Sequence, residues 1–214
     1  MIIGVINYKY CNFYSIFSKL DILSSNIRIV EKASELGKCD KIVLPGTGSA
    51  GMAMSYLKKK GFVDEIKNFH EKDKYILGIC LGMQILFNRL YEGKKTIGLN
   101  FFDSDVVSLQ KEQKIITNTG WRKLIQNTLS ENSKIDNNIY NNKQFYFCHS
   151  FYVSIKKREQ KFVKYSTTLK YGISNNCINL IPSVVEKDNI LGFQFHPEKS
   201  QRIGMKALSE FVNL

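Results

Sequence analysis

Short apolar runs alternate with amphipathic segments along the first half of the chain, and this alternation constrains the fold more than any other feature. Because strand–helix alternation normally produces parallel strands with helices on both faces of the sheet, we predict an α/β protein with an open, mostly parallel sheet. The predicted strands cover residues 1–6, 27–30, 41–44 and 75–79, and the predicted helices cover residues 12–23, 52–60, 63–71 and 83–90.

The second half has a different pattern, in which apolar runs follow one another across short polar turns. This pattern predicts a mixed or antiparallel extension of the same sheet. No segment has the composition of a linker, so a single domain over residues 1–214 is predicted. The predicted strands cover residues 106–109, 114–117, 144–153, 162–165, 179–185 and 190–195, with an Asn-rich surface loop at 134–142 and a closing helix at 201–211.

Charge and cysteine content argue against several classes of protein. The chain has 214 residues with 31 Lys and Arg against 19 Asp and Glu, a net charge of +12. The basic residues are dispersed, so nucleic-acid binding is not predicted. An acidic protein partner or an anionic substrate explains the excess equally well. The five cysteines include no CxxC pair, which argues against a zinc site and favours a reducing cytoplasm. No apolar run approaches the ~20 residues of a membrane helix, and the start lacks a signal-peptide pattern.

The segment from Gly46 to Gly51 matches the GxGxxG pattern of dinucleotide-binding loops. It does not lie in the first strand–helix unit, and Pro45 leads directly into it, so NAD or FAD is not predicted. The alternative is a tight turn of small residues whose bare backbone N–H groups face an active site.

A second motif, Gly78-Ile79-Cys80-Leu81-Gly82, follows an apolar strand and leads into a predicted helix. It has the form of a nucleophile elbow with Cys in place of Ser. Such a turn exposes the nucleophile at the carboxyl end of the strand, beside backbone N–H groups that can bind an oxyanion. The alternative is a buried core cysteine between two packing glycines.

A third motif, His196-Pro197-Glu198, ends another apolar strand. A histidine there can act as the base for Cys80, and a carboxylate two residues on can orient its ring. The alternative for an isolated histidine is a solvated His-Pro turn. Together, however, the Cys elbow, the strand-end His and the adjacent Glu form a nucleophile–base–orienter set.

These motifs resemble those of the class I, triad-type glutamine amidotransferases, and more narrowly those of the glutaminase subunits of imidazole glycerol phosphate synthase. The resemblance covers nearly the whole chain and implies the flavodoxin-like fold of that class. The elbow and His-Pro-Glu motifs are shared by the whole class, whereas the others point to the narrower family. The matching segments are Pro45-Gly46-Thr47-Gly48, Leu77-Gly78-Ile79-Cys80-Leu81-Gly82-Met83-Gln84, Thr119-Gly120-Trp121, Tyr146-Phe147-Cys148-His149-Ser150-Phe151 and Gly192-Phe193-Gln194-Phe195-His196-Pro197-Glu198-Lys199-Ser200.

The resemblance also implies roles for individual residues, without a metal or a cofactor. Cys80, His196 and Glu198 match the catalytic triad. Backbone N–H groups of Leu81 and of the Thr47–Gly48 turn match the oxyanion site. The residues that match glutamine-binding positions are Gly48, Gln84, Glu92, His149, Ser150 and Phe151, and those that match partner-facing positions are Trp121, Tyr146 and Lys199.

The implied function is hydrolysis of glutamine to glutamate, with the ammonia passed to a (β/α)8-barrel synthase subunit in histidine biosynthesis. One segment departs from the family: its usual Asp-Tyr-Gly-x-Gly-Asn opening is replaced here by Asn7-Tyr8-Lys9-Tyr10-Cys11-Asn12. This leaves open a barrel paralogue that amidates an acetamido sugar. Further alternatives are a stand-alone cysteine hydrolase of γ-glutamyl compounds and a non-catalytic regulatory subunit.

Overall fold

A nine-stranded sheet forms the centre of the molecule in the computed structural model, which describes residues 1–8, 11–24, 26–110, 116–128, 133–170 and 178–214. The strand order is β2-β1-β3-β4-β13-β12-β11-β8-β9. The first five strands in this order run parallel, and each later strand is antiparallel to its neighbour. The bounds are β1 Ile3–Ile6, β2 Ile27–Val30, β3 Lys41–Leu44, β4 Tyr75–Ile79, β8 Asn118–Gln126, β9 Gln144–His149, β11 Val163–Lys170, β12 Ile178–Lys187 and β13 Ile190–Phe193.

Helices cover both faces of this sheet, as the sequence predicts. Strand β3 sends Ile42 into one core cluster and the next residue, Val43, into the other. The Ile42 cluster contains buried residues of α2 and α3, and the Val43 cluster contains those of α1 and α6. The helices are α1 Phe13–Leu23, α2 Ala50–Lys59, α3 Phe62–Glu71, α4 Leu81–Gln84, α5 Asn137–Tyr140 and α6 Gln201–Asn213.

A second, four-stranded sheet lies beside the first, with the order β10-β7-β5-β6. It was not expected from the sequence, and it corrects the predicted helix at 83–90: α4 ends at Gln84 and the chain continues as a strand. Phe87 is buried and its ring stacks on that of Phe102, with centroids 4.8 Å apart. A short apolar run fits a buried strand and a buried helix equally well, which explains the error. The bounds are β5 Phe87–Leu90, β6 Thr96–Ile97, β7 Phe102–Ser108 and β10 Phe151–Ser154.

Three further predictions for the second half need correction. The predicted strand at 144–153 is two strands, β9 and β10, which belong to different sheets and are separated by Ser150. Strand β8 was not predicted, and the predicted loop at 134–142 contains the short helix α5. Of the predicted strand at 114–117, residues 114 and 115 lie outside the described residues. In the part of the chain that the structure describes, no helix is long and apolar enough to cross a membrane.

Candidate active site

The motifs from the sequence meet at the carboxyl edge of the parallel strands. Strands β3, β4 and β13 are adjacent in the sheet, and each is followed by one of the predicted motifs. A cavity of about 380 Å³ opens at this edge. The residues that line it are Gly46, Thr47, Gly48, Cys80, Leu81, Gln84, Glu92, Thr117, Cys148, His149, Ser150, Phe151, His196 and Lys199.

Cys80 occupies a strained turn between β4 and α4. Its φ of 50° and ψ of −105° lie in a region that non-glycine residues rarely adopt. Close backbone packing surrounds the turn: a Cβ on Gly46 would lie 1.7 Å from the Ile79 carbonyl oxygen, and one on Gly82 would lie 1.9 Å from that of Leu44. Only glycine fits at these two positions. Gly82 is a glycine of the elbow pattern, and Gly46 lies in the turn after β3.

His196 lies just after the end of β13, and Glu198 holds its ring at Nδ1. Its Nδ1 is 2.8 Å from Glu198 Oε1, and both side chains are buried. Its backbone N–H donates to the Tyr146 carbonyl oxygen at 2.8 Å. Burial disfavours a charged imidazole, but hydrogen bonds with the Cys80 and Glu198 side chains outweigh it and raise the pKa of His196 to about 10. The His196 ring is therefore charged at neutral pH and lies between the Cys80 and Glu198 side chains.

The Pro45–Gly48 turn, which was predicted to supply oxyanion donors, lies against the segment that follows β1. The backbone N–H of Asn12 donates to Thr47 Oγ1 at 2.7 Å. The segment at residues 7–12, which departs from the family pattern, is therefore hydrogen-bonded to this turn. Gly48 has a φ of 109°, which is open to glycine and strained for other residues. Leu81 is the first residue of α4, so its N–H has no carbonyl within the helix to bond. Within the departing segment, Lys9 and Tyr10 lie outside the described residues.

The predicted glutamine-binding residues all line the cavity, and the backbone carbonyl of Phe151 connects two of them. It accepts a hydrogen bond from Gln84 Nε2 at 2.9 Å and another from His149 Nδ1 at 2.8 Å. Because a carbonyl only accepts, Nδ1 of His149 carries the proton and Nε2 accepts from Asn118 Nδ2 at 3.0 Å. Burial lowers the pKa of His149 to about 4, so its ring is neutral.

Glu92 has a second contact besides the cavity. Its Oε2 accepts a hydrogen bond from the backbone N–H of Ala50, the first residue of α2, at 2.6 Å. This bond ties the carboxylate to the start of the helix that follows the Pro45–Gly48 turn.

Gln194 is a contact of Cys80 that the sequence analysis did not assign. It is fully buried, and its Nε2 donates to Cys80 Sγ at 3.6 Å. Its Oε1 accepts from Gln84 Nε2 at 3.1 Å. The signal for it was present in the sequence, because a glutamine between two phenylalanines in an apolar strand needs buried hydrogen-bond partners.

The three predicted partner-facing residues lie together beside the cavity. Trp121 and Tyr146 are paired across β8 and β9, with ring centroids 6.1 Å apart in an edge-to-face arrangement. The Lys199 ammonium is 6.0 Å from the centroid of the Tyr146 ring. Trp121 is 38% exposed, which is high for this side chain. We call Trp121, Tyr146 and Lys199 the aromatic patch.

Among the residues that the structure describes, no group of three or more His, Cys, Asp or Glu side chains could hold a metal ion.

Comparison with known proteins gives consistent matches. The model of the CobB/CobQ-like glutamine amidotransferase domain matches residues 2–197. The chain is 39% identical over 209 residues to the imidazole glycerol phosphate synthase subunit HisH of Caldanaerobacter subterraneus subsp. tengcongensis, covering 98% of this chain and 96% of that one. It is 36% identical over 214 residues to imidazole glycerol phosphate synthase subunit HisH 1 of Campylobacter jejuni (strain RM1221), covering 99% and 100%.

Solved structures share the fold at lower identity. PurLQS from Thermotoga maritima superposes with a TM-score of 0.71 at 20% identity, covering 99% of this chain and 97% of that one. A crystal structure of a glutamine amidotransferase superposes with a TM-score of 0.71 at 16% identity and covers 100% of both chains. These likenesses concern the fold alone.

Proposed function

The chain belongs to the class I glutamine amidotransferases, in the family of the HisH proteins, and on that premise we propose that it is the glutaminase subunit of imidazole glycerol phosphate synthase. It hydrolyses glutamine and delivers the ammonia to a (β/α)8-barrel subunit in histidine biosynthesis. The observation that carries this proposal is the strained Cys80 elbow facing a buried His196–Glu198 pair in one cavity.

In the first step, the Cys80 thiolate attacks the carboxamide carbon of glutamine. The carbonyl π electrons move to oxygen, and backbone N–H groups of Leu81 and of the Thr47–Gly48 turn stabilise this oxyanion. His196, charged because its pKa is raised to about 10, donates its Nε2 proton to the amide nitrogen. Ammonia leaves, and a γ-glutamyl thioester remains on Cys80.

In the second step, water hydrolyses the thioester. His196 is now neutral and accepts a proton from the attacking water, while Glu198 keeps the ring oriented through Nδ1. The second tetrahedral intermediate collapses, the C–S bond breaks, and glutamate leaves. The thiolate and the imidazolium are thereby restored.

Recognition of glutamine falls to the polar groups that line the cavity. Both N–H groups of the Gln84 amide are engaged, with the Phe151 carbonyl and with Gln194, so Gln84 Oε1 is left to accept from the substrate. Glu92 offers a carboxylate suited to the α-ammonium group. We assign His149, Ser150, Phe151 and Gly48 to the remaining walls of the substrate site.

Ammonia requires a second protein as acceptor. We assign docking of the barrel subunit to the aromatic patch, because it is exposed next to the cavity and Lys199 belongs to both. The net charge of +12 favours a partner with acidic groups at this surface.

One observation keeps a second candidate function open. The segment at residues 7–12, which departs from the family pattern at Asn7, Lys9 and Cys11, contacts the Pro45–Gly48 turn through the backbone N–H of Asn12. In this alternative the same glutaminase chemistry supplies a barrel paralogue that amidates an acetamido sugar. Complementation of a histidine auxotroph that lacks its own glutaminase subunit distinguishes the two, because only the histidine-pathway enzyme restores growth.

The decisive biochemical experiment measures glutamate release by this chain alone and after co-purification with its barrel protein. We expect slow release alone and strong stimulation in the complex, because an incomplete oxyanion site costs about 10²–10³ in rate. Equal rates in the two samples would instead support a stand-alone hydrolase of γ-glutamyl compounds, and no release in either would support a non-catalytic subunit.

A further inference from the structure

Gln194 places an amide group in the interior of the protein directly behind Cys80. It lies between Phe193 and Phe195 just after β13, and all three residues are fully buried. Burying an amide without hydrogen bonds costs several kcal/mol on transfer scales, so this side chain needs buried hydrogen-bond partners. Its backbone N–H donates to the Ser183 carbonyl oxygen at 2.9 Å, so the main-chain donor is satisfied. The side-chain amide needs hydrogen-bond partners of its own.

The orientation of this amide follows from a chain of hydrogen bonds that begins at a main-chain carbonyl. The Phe151 carbonyl only accepts, so the group of Gln84 that meets it at 2.9 Å is the NH2 group. The same NH2 group donates at 3.1 Å to Gln194, which must present its oxygen there. The NH2 group of Gln194 is therefore directed at Cys80 Sγ, 3.6 Å away.

We propose that Gln194 is a positioning residue that donates a hydrogen bond to the Cys80 thiolate, with its amide held in the donating orientation by Gln84 and the Phe151 carbonyl. This inference rests on the proposed glutaminase function, because it assigns Cys80 as the nucleophile. A thiol sulfur accepts hydrogen bonds weakly, whereas a thiolate is a charged acceptor. The bond therefore strengthens as the nucleophile forms and favours the charged state.

The same arrangement links substrate recognition to the nucleophile. Gln84 uses both of its N–H groups to hold Gln194 and the Phe151 carbonyl, and this leaves Gln84 Oε1 for the substrate. The buried Gln84–Gln194 pair thus directs the acceptor Gln84 Oε1 towards the substrate glutamine. It also directs the donor Gln194 Nε2 towards Cys80 Sγ.

The test replaces Gln194 with methionine, which has a similar length and no donor, and compares it with Gln126→Met at an exposed position of β8. Alkylation of Cys80 by iodoacetamide is followed against pH without glutamine, in the complex with the barrel protein. Hydrogen bonds to charged groups are stronger than neutral ones, so we expect Gln194→Met to move the alkylation midpoint up by about one pH unit or more.

Steady-state kinetics give the second readout. Gln194→Met should lower kcat roughly 10- to 100-fold, whereas Gln126→Met should keep wild-type kcat. Gln84→Met should chiefly raise the KM for glutamine and move the alkylation midpoint less, because Gln194 still lies beside the sulfur. A merely structural role of Gln194 would lower thermal stability without moving the alkylation midpoint.

Two outcomes would overturn the inference. The first is a Gln194→Met variant that folds and has the wild-type midpoint. The second outcome concerns Gln84→Met, at the cavity wall, and applies if Gln194→Met does not fold. The proposal then requires an upward shift of the alkylation midpoint in Gln84→Met, and an unchanged midpoint rejects it. Failure of the proposed function is recognised separately: the wild-type complex would then release no glutamate, or Cys80→Ala would retain glutaminase activity, whatever the Gln194 variants do.

Discussion

Glu198 Oε1 lies 2.8 Å from His196 Nδ1, although only Pro197 separates the two residues in the chain. A short 3-10 turn at Pro197–Lys199 folds the carboxylate back towards Nδ1 of the ring, and both side chains are buried. Because Nδ1 is engaged by the carboxylate, Nε2 is the ring nitrogen left for Cys80. In the proposed mechanism, the local turn thus supplies both the base and the group that orients it.

This arrangement predicts a ranking of two substitutions. In the proposed mechanism, His196→Ala removes the group that transfers the proton, whereas Glu198→Gln removes only a charge that orients it. We expect both to lower kcat, with the loss for His196→Ala larger by about 10²-fold, and with the KM for glutamine nearly unchanged in Glu198→Gln. Steady-state glutamate release by the complex measures both constants. The reverse ranking would mean that His196 is not the base.

Acid should destabilise the protein through His149. Its pKa is lowered from 6.5 to about 4 in the folded chain, so on acidification the unfolded chain binds this proton first. The stabilisation is present above pH 6.5 and is lost as pH falls towards 4. By linkage, the loss between about pH 7.5 and about pH 5 is about 2 kcal/mol.

Urea unfolding at these two pH values measures the effect, with His149→Asn as the matched variant. The asparagine amide can replace Nδ1–H as donor to the Phe151 carbonyl, but it does not titrate. The free energy of unfolding of the wild type relative to that of the variant should therefore fall by about 2 kcal/mol over this range, because the contributions of other groups such as His196 are shared by both proteins. Parallel pH dependences of the two proteins would contradict the assignment of a neutral, buried His149.

Close packing at the Pro45–Gly48 turn predicts that adding one methyl group at Gly46 strongly lowers stability and activity. A Cβ on Gly46 would lie 1.7 Å from the Ile79 carbonyl oxygen, so Gly46→Ala forces the two backbones apart. We expect it to lower the free energy of unfolding by about 3 kcal/mol or more and to abolish glutaminase activity.

Gly37→Ala is the matched control, because a Cβ there meets no atom within 4 Å. It should be neutral or stabilise by about 0.4–1 kcal/mol through the unfolded state. Chemical denaturation of both variants tests the contrast, and equal stabilities would show that the turn does not approach β4 closely.

The aromatic patch predicts a charge-dependent interaction with the barrel partner. Lys199→Glu should weaken the complex and lower the stimulated glutaminase activity together, and added salt should weaken the wild-type complex. Lys58→Glu makes the same charge change at an exposed position of α2, away from the patch. Titration of the partner by calorimetry should detect a loss for the first variant only. Equal losses for both would indicate general charge attraction rather than docking at the patch.

The parallel half of the fold could be predicted from the sequence because its elements have strong periodicity, as in α3 with buried Phe62, Ile66 and Phe69. The three motifs could be placed together because carboxyl ends of adjacent parallel strands share one edge. The second sheet could not be foreseen, because β5 has only four residues and its pairing with β7 depends on tertiary contacts.

The sequence also does not show which residues the supporting groups of the site pair with. Gln194 meets Gln84 across 110 positions of the chain, and Asn12 meets Thr47 across 35. Neither pair has a characteristic spacing, since each depends on how the strands are ordered in the sheet. The prediction of one domain over residues 1–214 stays a prediction.

Glutamate release by the complex, measured with the wild-type chain and with Cys80→Ala, is the direct test of Cys80 as the proposed nucleophile. We expect the variant to fold, to bind the barrel protein and to lose glutaminase activity by several orders of magnitude, because the proposed mechanism places the nucleophile on Cys80. A glutamine-analogue electrophile should correspondingly label Cys80 in the wild type and spare the exposed Cys148. Full glutamate release by Cys80→Ala would show that Cys80 is not the nucleophile.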